Sequence, residues 1–232
     1  MITLVIIGVV AALTIPNLLQ KYQEQTTVER LKKFYSTISN AYTQAKMNEG
    51  PVDEWGWEDY NAVNGSVNGL NKLVPYLKVE KNCGSTNDCF PNANYKKFRH
   101  DQSFNTRYTQ RYAKALLSDG TAFAVETYSK DCSYVMGTSK DLKEVCAIIH
   151  VDINGHEKPN IIGKDYFFFY LTKNAIIPAG VKEAFYFSLS SCTTVSDTAT
   201  GYGCAAWVVY KGNMDYLHCD GLTWNSRSCK DK

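Results

Sequence analysis

The first 82 residues hold no cysteine, and none of the first 20 carries a charge. A secretory signal peptide opens on a basic segment, and that segment is missing here. Proline is sparse, at six residues, and the net charge is only +2, from 25 basic against 23 acidic residues. Such a balance gives no electrostatic footprint for nucleic acid or for an acidic partner. The chain has no Cys-x-x-Cys, so neither a zinc ribbon nor a thioredoxin-like redox site is expected. It also lacks a Gly-x-Ser-x-Gly elbow, a Ser-x-x-Lys pair and a Gly-x-x-x-x-Gly-Lys phosphate loop. The four histidines, His100, His150, His156 and His218, include no pair at the His-x-x-x-His spacing of a helical metal site. The expectation is a protein that is not an enzyme and holds no organic cofactor.

What is present begins at the first residue. From Ile2 to Leu19 the run is apolar, interrupted only by Thr3, Gly8, Thr14, Pro16 and Asn17. From Gln20 charge appears, and Val28, Leu31, Tyr35, Ile38, Tyr42 and Ala45 recur three and four apart. That rhythm places them on one face of a helix. Gly50 and Pro51 supply its stop, because Gly accepts the left-handed position after a helix and Pro cannot continue one. A helix of nearly fifty residues is about 75 Å long at 1.5 Å per residue. A domain of this size does not cover that length, so the first half needs lipid or other chains. The run falls slightly short of the roughly 20 apolar residues of a full membrane span and carries Pro16 in its last turn.

The run Ile2-Thr3-Leu4-Val5-Ile6-Ile7-Gly8-Val9-Val10-Ala11-Ala12-Leu13-Thr14-Ile15-Pro16-Asn17-Leu18-Leu19, with its polar continuation through Tyr22 and Gln25, resembles the N-terminal helix of type IV pilins and type II secretion pseudopilins. The resemblance is specific over about 45 residues and weak beyond them. It departs from the family in one respect: the basic leader ending in Gly, and the Phe-Thr-Leu and Glu that follow, are not in this sequence, which starts at Met1. The expectation is that codons upstream of Met1 encode them, or that the chain is a shortened form. The resemblance implies a structural subunit of a pilus or secretion pseudopilus, with its helix prepilin-processed and N-methylated, inserted in the bacterial inner membrane as a single pass with an extracytoplasmic head. The assembled protein lies at the cell surface or in the periplasm. Its implied partners are homo- or hetero-oligomeric pilin-like subunits, the inner-membrane assembly machinery and, if the native start lies upstream, a prepilin peptidase. Residues 1–25 form the membrane or filament-core half of the helix, 26–50 the half packed on the head, and 51–232 the head. Ile6, Gly8, Ala11, Ala12 and Pro16 are the expected assembly residues: small residues permit close helix approach, and Pro16 permits local loss of helix. The alternative is a singly anchored surface-binding or adhesion domain that never polymerises, and a third reading is a secreted hydrolase.

Eight cysteines, Cys83, Cys89, Cys132, Cys146, Cys192, Cys204, Cys219 and Cys229, all lie beyond the helix. An even set points to an oxidising compartment and disulfides. About a hundred pairings are open; closure of the shortest loops suggests Cys83–Cys89, Cys132–Cys146, Cys192–Cys204 and Cys219–Cys229.

In the head, 51–69 reads as an irregular loop rich in Trp, Asn and Gly, and Leu70 to Leu77 as a short helix. Tyr112 to Leu117 and Thr121 to Tyr128 read as a hairpin about Ser118-Asp119-Gly120. Val145 to Ile153, Tyr166 to Leu171 and Ala184 to Leu189 read as further strands. A long helix followed by antiparallel strands gives an α+β class; the resemblance implies the pilin-like fold, in which the second half of the helix packs on the antiparallel sheet of the head, here disulfide-stabilised. Tyr95 to His100, with Phe104, Arg107, Tyr108, Arg111 and Tyr112, interleaves rings and cations as single-strand nucleic-acid grooves do. The mixture with Asp and Asn favours rings facing the core, and nucleic acid is not the expected partner. Asp152-Ile153-Asn154-Gly155 opens a loop that closes at Asp165. Asp152, Asn154 and Asp165 offer hard oxygens to calcium. The plainer reading of the same residues is a turn, with Asn-Gly at positive φ and the Asp side chains capping backbone.

Overall fold

The computed structural model describes residues 2–98, 103–194 and 199–231, with the side chains of 2–13, 103, 104 and 231 outside that description. Helix α1, Ile2–Glu49, runs unbroken through Pro16 and stops at Gly50, whose φ is +85°. Val28, Leu31, Phe34, Ile38, Ala41, Tyr42 and Ala45 are its buried stripe. The period holds, but Phe34 takes the place expected of Tyr35, which is only half-buried and stacks flat on Phe169 with centroids 5.7 Å apart. A second helix, α2 (Val63–Leu73), leads into β1, Val79–Gly84. Two two-residue strands follow, β2 (Tyr95–Lys96) and β3 (Ser103–Phe104). Then come β4 (Ala113–Leu117), β5 (Ala122–Thr127), β6 (Val145–Asp152), β7 (Tyr166–Thr172), β8 (Ile176–Pro178) and helix α3 (Ala205–Lys211).

The main sheet is antiparallel with order β1-β4-β5-β6-β7-β8. The β4–β5 hairpin turns where Asp-Gly predicts: Gly120 adopts φ +84°, and Asp119 Oδ1 accepts the Thr121 N–H at 3.2 Å. Strands β6 and β7 are buried on both faces, which explains their nearly continuous apolar sequence. Phe123, Val125, Ile149, Val151, Phe167, Phe169 and Leu171 face the layer containing α1 and α3. Ala124, Ile148, Tyr166, Phe168 and Tyr170 face the opposite way, under Phe90, Tyr95 and Tyr112. The four disulfides are Cys83–Cys89, Cys132–Cys146, Cys192–Cys204 and Cys219–Cys229, as loop closure suggests.

Three elements differ from expectation. Ala184 to Leu189 is not a strand. The sheet edge beyond β7 is taken by Ile176–Pro178, Phe187 sits at φ +54°, and only Ala184 bridges, to Gly137. The stretch read as a loop over 51–69 ends in α2. Its glycines serve close packing, since a Cβ on Gly69 would lie 2.0 Å from the Trp57 ring. The short helix read over Leu70 to Leu77 is the end of α2 followed by a 3-10 turn at Val74–Tyr76.

Candidate functional site

The last residues of β6 and the first of β7 carry the Asp152–Asp165 loop to the side of the sheet where α1 leaves the head. Asp152 is fully buried and Asp165 nearly so. Asp152 Oδ1 accepts the N–H groups of Asn154 and Gly155 at 3.2 and 2.9 Å, and its Oδ2 accepts the Tyr95 hydroxyl. Asp165 accepts the Ile161 N–H on Oδ1 at 2.7 Å and the Asn160 N–H on Oδ2 at 2.6 Å. Gly155 takes φ +63°. The turn reading of the sequence thus describes what these side chains do. Burial holds the Asp152 carboxyl well above its ordinary value, with the nearby Asp165 charge adding to it. Burial pushes Asp165 up to about 6, against the backbone bonds that favour its charge.

The structure brings Asp152, Asn154 and Asp165 together. The Asn154 side-chain amide donates to the Lys158 carbonyl at 3.0 Å and reaches Asp165 Oδ2 at 3.5 Å, which fixes its orientation. Its Oδ1, and the Oδ1 of Asn160, are buried with no hydrogen-bond partner. Two such oxygens beside two carboxylates fit a hard cation. Among the described residues, no group of three or more His, Cys, Asp or Glu is placed to hold a metal.

Asn154 and Asp165 also line a groove of about 780 Å³ between this loop and α1. Pro16, Leu19, Ile153, Pro159, Met214 and Leu217 give it apolar walls, and Glu24, Arg30, Glu157, Lys158 and Lys164 ring it with charge. Glu24 is held by His218, whose Nε2 lies 2.9 Å from both carboxylate oxygens. The groove joins three segments far apart in sequence, and no local motif announces it.

A family model matches residues 17–206. The chain belongs to DUF6613, a family of unknown function. The DUF6613 match takes in the groove's α1 wall from Asn17, the whole Asp152–Asp165 loop and every strand of the sheet, and ends inside α3. The Cys219–Cys229 loop lies past it. Comparison with curated proteins and with solved structures finds no match to either.

The remaining expected site residues fall in two places. Ile6, Gly8, Ala11 and Ala12 lie on the helical backbone of α1, and their side chains are outside the described set. Among the described residues, no helix is long and apolar enough to cross a membrane. Within the basic-aromatic stretch, several of the described rings and cations turn inward, while Lys96 and Tyr108 are exposed. Tyr95 and Tyr112 are buried, the Arg107 Nη1 donates to the Phe90 carbonyl at 3.0 Å, and the Arg111 Nε donates to Glu126 at 2.6 Å. Arg99 and His100 lie outside the described residues.

One buried polar cluster has no counterpart in the sequence reading. His150 Nε2 lies 3.0 Å from Glu126 Oε2, and its Nδ1 lies 3.0 Å from the Tyr166 hydroxyl, which meets Thr106 Oγ1 at 2.8 Å. With Arg111 also on Glu126, both carboxylate oxygens are paired. Glu126, His150 and Tyr166 are buried and none of them lines the groove, so they tie β5, β6 and β7 to the 105–112 segment.

Proposed function

We propose that this protein is a structural, non-catalytic subunit of a pilin-like filament, a type IV pilus or a type II secretion pseudopilus. Its N-terminal helix would be stored in the inner membrane, with the head on the extracytoplasmic side. The observation that carries the reading is the division of α1. From Val28 onward one face is buried on the head, whereas Ile15, Leu18 and Tyr22 are 54%, 70% and 71% exposed. Ahead of them the sequence is uncharged back to Met1. Burying each such Leu, Ile or Val is worth roughly 1.5–3 kcal/mol, so this half of the helix is stable in lipid or against the same half of neighbouring subunits. Four disulfides around the head support an oxidising compartment. The unpaired Asn154 and Asn160 oxygens support calcium as a ligand of the Asp152–Asp165 loop.

The experiment is fractionation of the natively produced chain, followed by cysteine crosslinking along α1 at positions 6 and 11. The reading expects the protein in the inner-membrane and sheared-filament fractions, with crosslinks between copies. Recovery only as membrane-bound monomers with no crosslink favours the singly anchored binding domain. A freely soluble chain with neither fraction contradicts both.

A further inference from the structure

Tyr60 and Tyr134 are large rings left exposed on the head. They flank Tyr128, which is half-buried: their centroids lie 4.9 Å and 5.0 Å from its own, with planes inclined at 48° and 74°. Arg111 stands against Tyr60 as well. Its Cζ lies 5.4 Å from that ring and 5.1 Å from the Tyr112 ring. The guanidinium is held between two rings, and its Nε is spent on Glu126, whose second oxygen faces His150. Among the described residues, its remaining N–H groups make only a 3.5 Å contact with the Tyr112 hydroxyl. The frame beneath the rings is fixed. Tyr134 exchanges backbone bonds of 3.3 and 3.1 Å with Val145, and the Tyr128 N–H donates to the Cys146 carbonyl at 2.8 Å. The Cys132–Cys146 disulfide pins the turn that joins the two rings. Within that turn Asp131 accepts the Ser129 and Ser133 hydroxyls, each at 2.6 Å. None of these residues lines the groove.

We propose that this patch binds a neutral oligosaccharide, with Tyr60 and Tyr134 as stacking platforms and Arg111 as a hydrogen-bond donor to sugar hydroxyls. A tyrosine ring offers an apolar face and a polar edge. A pyranose is its counterpart, with C–H groups on a face and hydroxyls around the rim. The charge balance selects against a polyanion. Arg111 and Lys130 stand against Asp59, Asp131 and Glu126, and the Lys130 backbone N–H reaches Asp59 at 3.5 Å. No excess of positive charge is left for phosphate or uronate. The same charges argue against a protein partner, because the centre of a protein interface is depleted of charged residues and here they border the rings. A sugar hydroxyl uses both signs, since it donates to a carboxylate and accepts from a guanidinium. The rings are inclined to one another, so they suit a soluble chain that twists between sugars rather than the flat face of a crystalline polymer. Because the frame is fixed in advance, binding orders little of the protein. The site lies on the head alone, and it serves a filament subunit and a singly anchored domain alike.

The test is isothermal titration of the full chain, kept in a detergent without a sugar headgroup. The probes are the linear hexaoses of glucose, mannose, galactose and N-acetylglucosamine, with hexagalacturonate as the charged control. At least one of the four neutral hexaoses should bind with a dissociation constant of about 1 mM or tighter, and hexagalacturonate should bind more weakly than it. Tyr60→Ala and Tyr134→Ala should each weaken that binding roughly five- to tenfold, the worth of one ring contact. Tyr60→Phe keeps the ring and should bind within about twofold of the wild type. Both rings are exposed, so the three variants should melt as the wild type does, which separates lost binding from lost fold. No binding of any neutral hexaose at about 10 mM overturns the proposal. So does binding that both alanine variants leave unchanged, or tighter binding of hexagalacturonate than of every neutral hexaose.

Discussion

Phe34 of α1 meets Phe169 of β7 with ring centroids 5.7 Å apart and planes inclined at 55°. Phe123 of β5 lies 6.0 Å from the same Phe34 ring. This tilted cluster is where the helix is keyed to the centre of the sheet. Phe169 is fully buried, so Phe169→Ala should cost roughly 3–5 kcal/mol, from lost transfer energy plus the cavity left behind. Urea unfolding of the wild type and the variant measures it. A loss below about 1 kcal/mol would mean that the helix is not docked as described.

Gly69 tests the reason that a glycine-rich stretch is helical. Alanine gains about 1 kcal/mol over glycine in helix propensity. A Cβ here would lie 2.0 Å from the Trp57 ring, which is buried and held by a 2.6 Å hydrogen bond to the Val52 carbonyl. The ring cannot yield cheaply, so overpacking wins and Gly69→Ala should destabilise by about 1–3 kcal/mol. Thermal unfolding of the variant checks the sign; a raised Tm contradicts the packing.

Much of the fold was legible because its signals are local. Asp119-Gly120 sets a hairpin by turn chemistry, and the stripe on α1 follows from spacing alone. The disulfides follow short loops. The departures come from tertiary context. Gly65 and Gly69 read as breakers until Glu58 and Trp57 are seen pressing against them. Ala184 to Leu189 has the composition of a strand, but β8 fills the edge it would need. Of the candidate site, the Asp152–Asp165 loop was visible as a motif. The groove was not, because Leu19, Pro159 and Met214 are neighbours only after folding.

Two buried groups give opposite pH dependences. Asp165 binds its proton more tightly in the folded chain, with a value near 6 against 3.8 when unperturbed. Its contribution is fully present below about 3.8 and is lost as pH rises through about 6. Lys114 is buried among the Thr86 and Thr109 carbonyls, and burial lowers it to about 8 from 10.5. The fold disfavours its charged form, so stability should rise between pH 8 and 10.5. Asp165→Asn should flatten the first slope and Lys114→Met the second in urea midpoints measured across pH. Slopes unchanged by these substitutions contradict the assignments.

Calcium at the Asp152–Asp165 loop makes a separate claim. Raising calcium to about 10 mM, above the roughly 0.1–1 mM dissociation constants of extracellular modules, should raise the Tm of the wild type. Asp165→Asn should lose the shift. Magnesium should not reproduce it, because it demands tighter octahedral geometry. Equal melting curves with calcium and with chelator count against a cation at this turn.

The central claim is that the uncovered half of α1 exists to be buried between subunits. Leu18 is 70% exposed, so replacing it by Asp leaves the isolated head's core untouched. In a dry filament core the same carboxylate has no partner, and its burial should cost several kcal/mol per subunit. The measurement is negative-stain electron microscopy of sheared surface fractions from cells producing wild type, Leu18→Asp or Leu18→Met. Disulfide mapping of each variant verifies that the head is folded. The account predicts filaments for wild type and Leu18→Met and none for Leu18→Asp with all four bridges intact. Filaments of normal number and length from Leu18→Asp would contradict it.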